Sequence, residues 1–467
     1  MSQPDTAHPR SAAAREIAFD VLNRWKPRSP HAARLLEDWF GRASVSASER
    51  GLATELVHGV MRRRETLSAL LKPHVNRPLA QVEHGALVLL WLGAYQQVML
   101  SGIPEYAAVN ETTELAKRCG KPQWTGFINA VLRSLGRSVN DEIVAEPRAN
   151  AVPLTAHRYR VVGALVFPDP ERDWPGYFAS AFSFPHWLAG RWQQRFNRDE
   201  QMRLGFWFNT PAQLCLRVNT LRTTREALLE SLAHAQISAR AGNHPESIVF
   251  EESAFVQRLP GYDDGWFAVQ DESAIAAGTL LDPSPGERVL DLCSAPGGKT
   301  AHLAALMHNH GRILATDVDD IRLQRVTETC RRLGVQIVET RKMPRDSTDL
   351  GHETFDRILL DVPCSNTGVL GKRPEARWRL RSEDLTELPA IQSRLLRTAC
   401  DCLAPGGRIV YSTCSIEPEE NRAVVQALLD ERRELTLVHE QDHVPGQPAD
   451  GGYQALLQTC RATPSPA

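Results

Sequence analysis

Two cysteines that follow strand-like runs are the first candidates for chemistry in this chain. Cys364 stands in "FDRILLDVPCSNTG", after an apolar run that ends at Asp361, and Cys414 stands in "GRIVYSTCSIEPEEN", after a β-branched run. Side chains at strand ends of α/β proteins are held rigidly and yet stay reachable. A thiolate is nucleophilic, polarisable and a competent leaving group, which suits reversible covalent attack. We therefore predict a reactive site at two neighbouring strand ends.

A glycine-containing turn upstream is the second candidate. The segment "VLDLCSAPGGKTAHLA" predicts a strand, a tight turn and a helix whose first N–H groups face a ligand. A phosphate loop would need the pattern GxxxxGK[ST], but here Cys293 stands where the first glycine belongs. The competing ligand is S-adenosylmethionine. Its predicted binding residues in the turn are Cys293, Ser294, Ala295, Pro296, Gly297, Gly298 and Lys299.

Acidic residues after the next two strands fit the same cofactor. Asp317 ends "RILATD", 20 residues beyond Gly297, where a carboxylate can hold the ribose hydroxyls. Asp346, after the third strand, is a candidate near the adenine ring. Each has a simpler alternative, since Asp317 could cap the following helix and Asp346 could be an exposed loop acid. The glycine turn and Asp317 together favour the cofactor.

A methyl donor restricts what paired cysteines are for. Carbon 5 of cytosine is a poor nucleophile until a group adds to carbon 6, and a thiolate performs that addition well. Amino methyltransferases carry an aromatic residue after an Asp-Pro-Pro motif, whereas "DVPC" ends in Cys364. The sequence therefore favours methylation of carbon over that of an exocyclic amine. Six other cysteines are predicted to be core residues: Cys119, Cys215, Cys330, Cys400, Cys402 and Cys460.

Strands and helices that alternate from residue 288 onward would position these residues. We predict strands at 288–292, 312–317, 335–339, 355–361 and 408–413, with helices at 299–308, 320–333, 387–403 and 418–431. This alternation is typical of a parallel, doubly wound sheet that binds ligands at the carboxyl ends of its strands. The fold class is thus α/β and Rossmann-like, in a domain that we place at 271–460.

The chain before this domain is predicted to hold three segments. Residues 11–140 have helical periodicity throughout and predict an all-α bundle. Residues 141–182 carry repeated prolines and no sustained period, which predicts a linker or an irregular insertion. Residues 183–270 read as helix, strand and helix, and predict a small α+β subdomain that faces the substrate.

Composition limits the partners and the compartment. The net charge is −2, but residues 1–150 carry 19 Lys and Arg against 15 Asp and Glu, a small excess that fits a polyanion partner. Nine cysteines without a CxxC pair predict neither a disulfide framework nor a metal site. The longest apolar run, 85–100, is too short for a bilayer span and predicts a buried helix. We expect a cytoplasmic monomer without a membrane segment.

Several motifs resemble one family of enzymes. "DLCSAPGGKT", "DVPCSNTGVL", "RWRL" and "YSTCSIEPEEN" are similar to the motifs of the RNA 5-methylcytosine methyltransferase family, and "GWFAVQDESA" matches the segment that leads into its cofactor domain. The stretches "AREIAFDVLNRW", "LVHGVMRRR" and "GFINAVLRSLG" resemble the NusB-like RNA-binding domain. This resemblance covers most of the chain.

The resemblance implies a function and roles for individual residues. It implies methylation of cytosine carbon 5 in small-subunit (16S) rRNA, with Cys414 as the nucleophile that bonds to carbon 6. Cys364 would assist release of the product, and Asp361 would contact cytosine N3 and the cofactor pocket. The family usually has Gly where Asn366 stands, a residue that tolerates left-handed backbone. Two alternatives stay open: the same chemistry on tRNA or another rRNA site, and a non-catalytic RNA-binding assembly factor.

Overall fold

The computed structural model describes residues 14–27, 32–252, 254–344, 350 and 352–459. The chain folds into two compact units. The first comprises residues 1–211 and 370–380, and the second comprises residues 212–369 and 381–467. The boundary at 211/212 lies inside the predicted subdomain 183–270. Across the described ranges, no helix combines the length and apolarity that a membrane crossing would need.

The first unit begins with the predicted helical bundle. Its helices are α1 (Ala14–Arg24), α2 (Ala32–Arg42), α3 (Ala47–Leu71), α4 (His84–Val98), α5 (Glu105–Arg118) and α6 (Thr125–Ser138). Ser46 caps α3 by accepting a hydrogen bond from the backbone of Glu49. Helix α4 is the apolar run 85–100, and most of its side chains are buried among the other helices, as predicted.

The segment predicted as a linker or irregular insertion forms a small sheet, so that prediction was wrong. Strands β1 (Val139–Val144), β2 (Ala151–Thr155) and β3 (Arg158–Val162) pair antiparallel in the order β1-β3-β2. Pro153 does not break β2, and it pairs with Tyr159 of β3 in the antiparallel register. Strand content here depends on pairing between segments of the insertion, which a search for local periodicity does not register.

A short segment from the second half of the sequence completes the first unit. After β3 come α7 (Trp174–Ala181), α8 (His186–Gln193) and α9 (Arg198–Asn209). Residues 370–380, which contain the "RWRL" motif, pack here, and Arg377 is fully buried. Its guanidinium donates hydrogen bonds to the carbonyls of Ser183 (2.9 Å) and Phe208 (3.1 Å) and stacks on Phe184. A buried arginine that satisfies several carbonyls fixes the path of this segment.

The second unit contains a small sheet and a large one. In the small sheet, β4 (Cys215–Val218), β5 (Ala239–Ala241), β6 (Ser247–Phe250) and β7 (Phe267–Val269) pair antiparallel in the order β5-β6-β4-β7. Helix α10 (Arg225–His234) begins after its cap Thr224 and packs on β5 and β6. Helix α11 (Glu272–Leu281) leads to the large sheet.

The large sheet has the order β10-β9-β8-β11-β12-β14-β13. Its strands are β8 (Arg288–Asp291), β9 (Arg312–Asp317), β10 (Val338–Lys342), β11 (Phe355–Asp361), β12 (Leu403–Thr413), β13 (Leu435–His443) and β14 (Gly452–Thr459). The helices of the second unit that accompany them are α12 (Gly298–Leu306), α13 (Asp320–Leu333), α15 (Asp384–Asp401) and α16 (Arg422–Glu431), while α14 (Ala376–Arg379) lies in the first unit. Strands β8 to β12 are parallel, whereas β14 pairs antiparallel with both β12 and β13. The predicted all-parallel sheet is thus a mixed one.

Alternating side chains give this sheet a core on each face. Val289, Leu359 and Val410 pack against α11 and α12, and their neighbours Leu290 and Ile409 pack against α15 and α16 on the other face. Successive residues of a strand point to opposite faces, so a strand buried on both sides is apolar throughout. The carboxyl ends of β8, β9, β11 and β12 are the positions that the motifs occupy.

Candidate active site

The glycine turn lies between β8 and α12 and is bound to the end of β9. Ser294 donates from its backbone N–H (2.9 Å) and from its Oγ (3.0 Å) to the carbonyl of Thr316. Gly297 has a φ of 97°, and a Cβ at this residue would lie 2.9 Å from the Cα of Val326 on α13. Only glycine combines that backbone conformation with so close a helix. The turn is therefore held in one shape by contacts that its sequence requires.

The helix start beyond this turn leaves space for a ligand. A Cβ at Gly298 would meet only Gln270 Oε1, at 3.9 Å, among atoms within 4 Å. Two carbonyls of the turn already accept hydrogen bonds from side chains: that of Ala295 from Arg322 and that of Pro296 from Thr329. The first N–H groups of α12 and the space beside them are available to a polar ligand.

A buried carboxylate that the motif reading missed ends β8. Asp291 is 1% exposed, and its Oδ2 accepts a hydrogen bond of 2.7 Å from Thr300 Oγ1. Its Oδ1 has no hydrogen-bond partner within the described part of the chain, and burial raises the pKa of this carboxyl to about 7. Buried acceptors are almost always paired, so an open one beside a glycine turn fits a cationic group of a ligand. The sequence did carry a signal for Asp291, because it ends the strand segment "RVLD" in the same way that Asp317 ends "RILATD".

Asp317 ends β9 and is not the cap of the following helix. The cap of α13 is Asp319, whose side chain accepts from the backbone of Ile321 and Arg322. Asp317 is 4% exposed, with Arg322 at 3.4 Å, and burial raises the pKa of Asp317. The capping alternative is therefore wrong, and the carboxylate remains a candidate for ribose. Asp346 lies outside the described residues.

The two candidate thiols meet at the adjacent ends of β11 and β12. Asp361 pairs with Ser412 in the parallel register, which brings the following loops together. The Sγ atoms of Cys364 and Cys414 are 3.2 Å apart. The hydrogen bond to Cys414, together with burial, raises the pKa of the Cys364 thiol well above its usual range. Cys364 thus stays a neutral thiol, and either sulfur can donate in this contact.

A lysine from the glycine turn connects the cofactor side with the thiols. Lys299 Nζ donates to Asp361 Oδ2 at 2.8 Å. Burial would lower the pKa of Lys299, but the charge and hydrogen bond of Asp361, and the charge of a Cys414 thiolate, raise it overall. Lys299 is therefore a cation that is paired with Asp361 and interacts electrostatically with Cys414.

Asn366 occupies the position where the related motif has glycine. Its φ is 62°, in the left-handed region that asparagine tolerates. Its Nδ2 donates to the carbonyl of Cys364 at 2.8 Å, and its Oδ1 lies 3.3 Å from Cys414 Sγ. Asn366 thus adopts the left-handed conformation and contacts Cys414.

Of the six cysteines predicted to be core residues, four are buried as predicted, and Cys119 is only half-buried. Cys330, Cys400 and Cys402 lie in hydrophobic clusters, Cys215 is buried, and Cys119 is half-buried. Cys293 packs at the edge of the cluster under the large sheet, and burial raises the pKa of its thiol. Cys460 lies outside the described residues. The described ranges contain no group of three or more His, Cys, Asp or Glu arranged to hold a metal ion.

Family models match three parts of the chain. Residues 278–464 match the model described as 16S rRNA methyltransferase RsmB/F, and residues 12–137 match the NusB family. Residues 184–257 match a ferredoxin-like domain described as Methyltr_RsmF/B-like. The three matches follow the order of the helical bundle, the small α+β segment and the large sheet.

Relatives match across most of the chain. A probable ribosomal RNA small subunit methyltransferase B of Bacillus subtilis (strain 168) is 31% identical over 424 residues, covering 90% of this chain and 89% of the relative. Ribosomal RNA small subunit methyltransferase B of Klebsiella pneumoniae (strain 342) is 34% identical over 414 residues, 88% of each chain. The crystal structure of PH0851 shares the fold, with a TM-score of 0.77 and 24% identity over 97% of this chain and 100% of that one.

The fold and the site define the class as a Rossmann-like methyltransferase with an N-terminal NusB domain. The identity and coverage of the relatives make the assignment narrower: the chain belongs to the RsmB/F family of 16S rRNA methyltransferases. The resemblance and the fold class stated from the motifs are both confirmed.

Proposed function

We propose that this protein methylates carbon 5 of a cytosine in 16S rRNA through a covalent bond between Cys414 and carbon 6. The observation that carries the proposal is the 3.2 Å contact between the sulfurs of Cys364 and Cys414 at the ends of two parallel strands. A carbon-directed methyltransferase needs one group to add to the ring and another to help reverse the addition. Two thiols in contact with each other would supply both.

The chain's residues would act in sequence. Cys414 Sγ adds to carbon 6, which moves the electrons of the 5,6 double bond toward carbon 5 and makes that carbon nucleophilic. Asp361 would lie at cytosine N3 and stabilise the charge that develops there. After methylation, carbon 5 gives its proton to water, the electron pair of that C–H bond re-forms the 5,6 double bond, and the bond from carbon 6 to Cys414 breaks with its electron pair leaving on Cys414 Sγ. Cys364, held as a neutral thiol beside the leaving sulfur, would assist that elimination.

The methyl donor that these residues would hold is S-adenosylmethionine. When bound, it supplies an electrophilic methyl group on a sulfonium centre. The fit rests on the open Oδ1 of Asp291, the free space at Gly298 and the carboxylate of Asp317. Asp317 would bind the ribose hydroxyls, and the turn from Cys293 to Lys299 would surround the amino acid end. Asp346 stays a proposed contact for the adenine.

Single replacements of the thiols test the chemistry. We expect Cys414→Ala to abolish both methyl transfer and the covalent RNA adduct, because no other group can add to carbon 6. We expect Cys364→Ala to leave RNA bonded to Cys414, seen as a slow band of labelled RNA on a denaturing gel. Cys330→Ala, which alters a cysteine in a hydrophobic cluster, is the matched control and should keep activity. A persistent band with Cys414→Ala would reverse the roles, and full activity in both variants would refute them.

The substrate has its own test. Bisulfite sequencing of RNA from a strain that lacks the protein should show one cytosine of 16S rRNA that is no longer protected. Loss of protection only in tRNA would favour the alternative substrate.

A further inference from the structure

A buried carboxylate lies behind the two thiol-bearing loops. Glu420 is 0% exposed. Its Oε1 accepts hydrogen bonds of 2.9 Å from the backbone N–H of Ser365 and from Gln392 Nε2. Its Oε2 accepts from the hydroxyls of both Ser365 and Ser415. Ser365 directly follows Cys364, and Ser415 directly follows Cys414, so one carboxylate holds the residue after each thiol.

Further hydrogen bonds join the two loops around this carboxylate. The hydroxyls of Ser365 and Ser415 are 3.0 Å apart, and each lies 3.2 Å from Thr367 Oγ1. Thr367 Oγ1 accepts from the backbone of Ile416 at 3.0 Å. Gln392 also donates to the carbonyl of Pro363 at 2.9 Å. We call Ser365, Thr367, Ser415 and Glu420 the loop-joining cluster.

The donors around Glu420 require an acceptor at both of its oxygens. A backbone N–H cannot reverse its direction, and Gln392 is fixed as a donor by its second bond to Pro363. An amide in place of the carboxylate would turn an NH₂ group toward these donors or toward the two hydroxyls. Either orientation breaks bonds to at least one loop, and a buried donor without an acceptor is unfavourable.

We propose that Glu420 is a positioning residue that keeps the sulfurs of Cys364 and Cys414 in reacting geometry by tying both loops to one carboxylate. This inference rests on the proposed roles of the two thiols. Glu420 does not touch the reacting atoms. It acts through Ser365 and Ser415, so its loss should alter the rate of the chemical steps and leave binding of the methyl donor unchanged.

Glu420→Gln tests the proposal against a matched control. Tyr411→Phe removes a buried hydrogen bond of 2.6 Å to the backbone carbonyl of Glu420 and leaves the carboxylate contacts in place. Misplacing a catalytic group by about 1 Å can lower a rate on the order of 100-fold, and we expect a fall in kcat of that order for Glu420→Gln. The KM for S-adenosylmethionine should stay the same, and Tyr411→Phe should retain kcat despite a comparable loss of thermal stability.

A second readout separates positioning from a general loss of structure. Alkylation of Cys414 by iodoacetamide across pH, followed by peptide mass spectrometry, should give a changed pH profile in Glu420→Gln and the wild-type profile in Tyr411→Phe. If Glu420→Gln does not fold, Ser365→Ala and Ser415→Ala each remove one donor without altering the carboxylate. Their effects on kcat should then be coupled rather than additive.

The outcomes distinguish this proposal from the proposed function. If Cys414→Ala is inactive but Glu420→Gln matches Tyr411→Phe in kcat and alkylation, the positioning role is refuted and the thiol mechanism stands. If Cys414→Ala is active, the thiol mechanism itself fails. Additive and small effects of the two serine variants would also refute the role of Glu420.

Discussion

The ends of β8 and β9 and the ends of β11 and β12 belong to one sheet, but they are built differently. At the first pair, the Oδ1 of Asp291 has no partner among the described residues, and the space at Gly298 is free. At the second pair, Glu420 accepts four hydrogen bonds, and the hydroxyls around it contact one another. On the first side a buried carboxylate oxygen has no partner in the described protein, whereas on the second side both oxygens of the Glu420 carboxylate accept hydrogen bonds from protein donors.

This difference fits what the proposed function requires of each side. A cofactor is exchanged in every turnover, so the protein gains affinity by leaving polar groups that only the cofactor satisfies. A covalent nucleophile must hold its position while bonds form and break, so its loops are fixed beforehand by internal hydrogen bonds. We call the ends of β8 and β9 the cofactor side and the ends of β11 and β12 the thiol side. The stability of the cofactor side should therefore depend on ligand and pH, whereas activity should be sensitive to any change in the geometry of the thiol side.

The largest effect on activity should come from a disulfide bond between Cys364 and Cys414. Because the sulfurs are 3.2 Å apart, we expect the azo oxidant diamide to take two electrons and two protons from Cys364 and Cys414 and leave a disulfide. This should abolish activity, and dithiothreitol should restore it. Peptide mass spectrometry would identify the cross-link, which Cys364→Ser cannot form. Undiminished activity with a complete cross-link would contradict the proposed mechanism.

The second-largest expected effect is on the pH dependence of the unfolding free energy, through Asp291 on the cofactor side. The folded, ligand-free protein holds the pKa of Asp291 at about 7, above the ordinary 3.8. Between these values the unfolded chain has released the proton and the folded protein retains it, so this contribution to stability is lost as pH rises through 7. Asp291→Asn cannot titrate. Between pH 5 and pH 8 the wild type should lose about 3 kcal/mol more unfolding free energy than the variant, at ~1.4 kcal/mol per pKa unit.

Ligand binding should change this comparison in a defined direction. A cationic methyl donor stabilises ionised Asp291, so affinity measured by calorimetry should increase with pH through 7 in the wild type and stay flat in Asp291→Asn. If the wild type and Asp291→Asn show the same pH dependence of stability and the same pH dependence of affinity, Asp291 does not titrate in this range.

The elements that carry the site were largely predictable because their signals are local. Strands 312–317 and 355–361 and helix 320–333 have the predicted bounds, since apolar runs and an acidic cap mark them in the sequence. Strand β10 begins three residues later than the predicted 335–339, because its pairing with β9, and not its apolar residues, sets its position. The antiparallel strands β13 and β14 were not predicted, although the segment "VPGQPADG" between them carries turn residues; β14 pairs with β12 and β13 pairs with β14.

The chemistry of the site was predictable in its residues but not in its support. Cys364 and Cys414 stand out by their place after strands, although 50 residues separate them and only the parallel register brings their sulfurs together. Glu420 reads as one of several acids in "EPEEN", and its burial follows from two loops that close over it. Arg377 reads as a surface cation, yet the carbonyls that it binds come from segments about 170 to 195 residues away.

The smallest effect should separate two neighbouring acids on the cofactor side. Asp317→Ala removes the proposed ribose contact and should weaken binding of S-adenosylmethionine by about 1.5–3 kcal/mol, the range for hydrogen bonds to a charged group. Asp319→Ala removes the cap of α13 instead and should lower stability by about 1 kcal/mol while affinity stays the same. Calorimetry and thermal unfolding on both variants give the two quantities side by side. If Asp319→Ala loses as much affinity as Asp317→Ala, the effect comes from the start of the helix, and the ribose contact is wrong. If only Asp317→Ala loses affinity, the open carboxylates of this side bind the cofactor directly, in contrast to Glu420, whose carboxylate serves the protein's own loops.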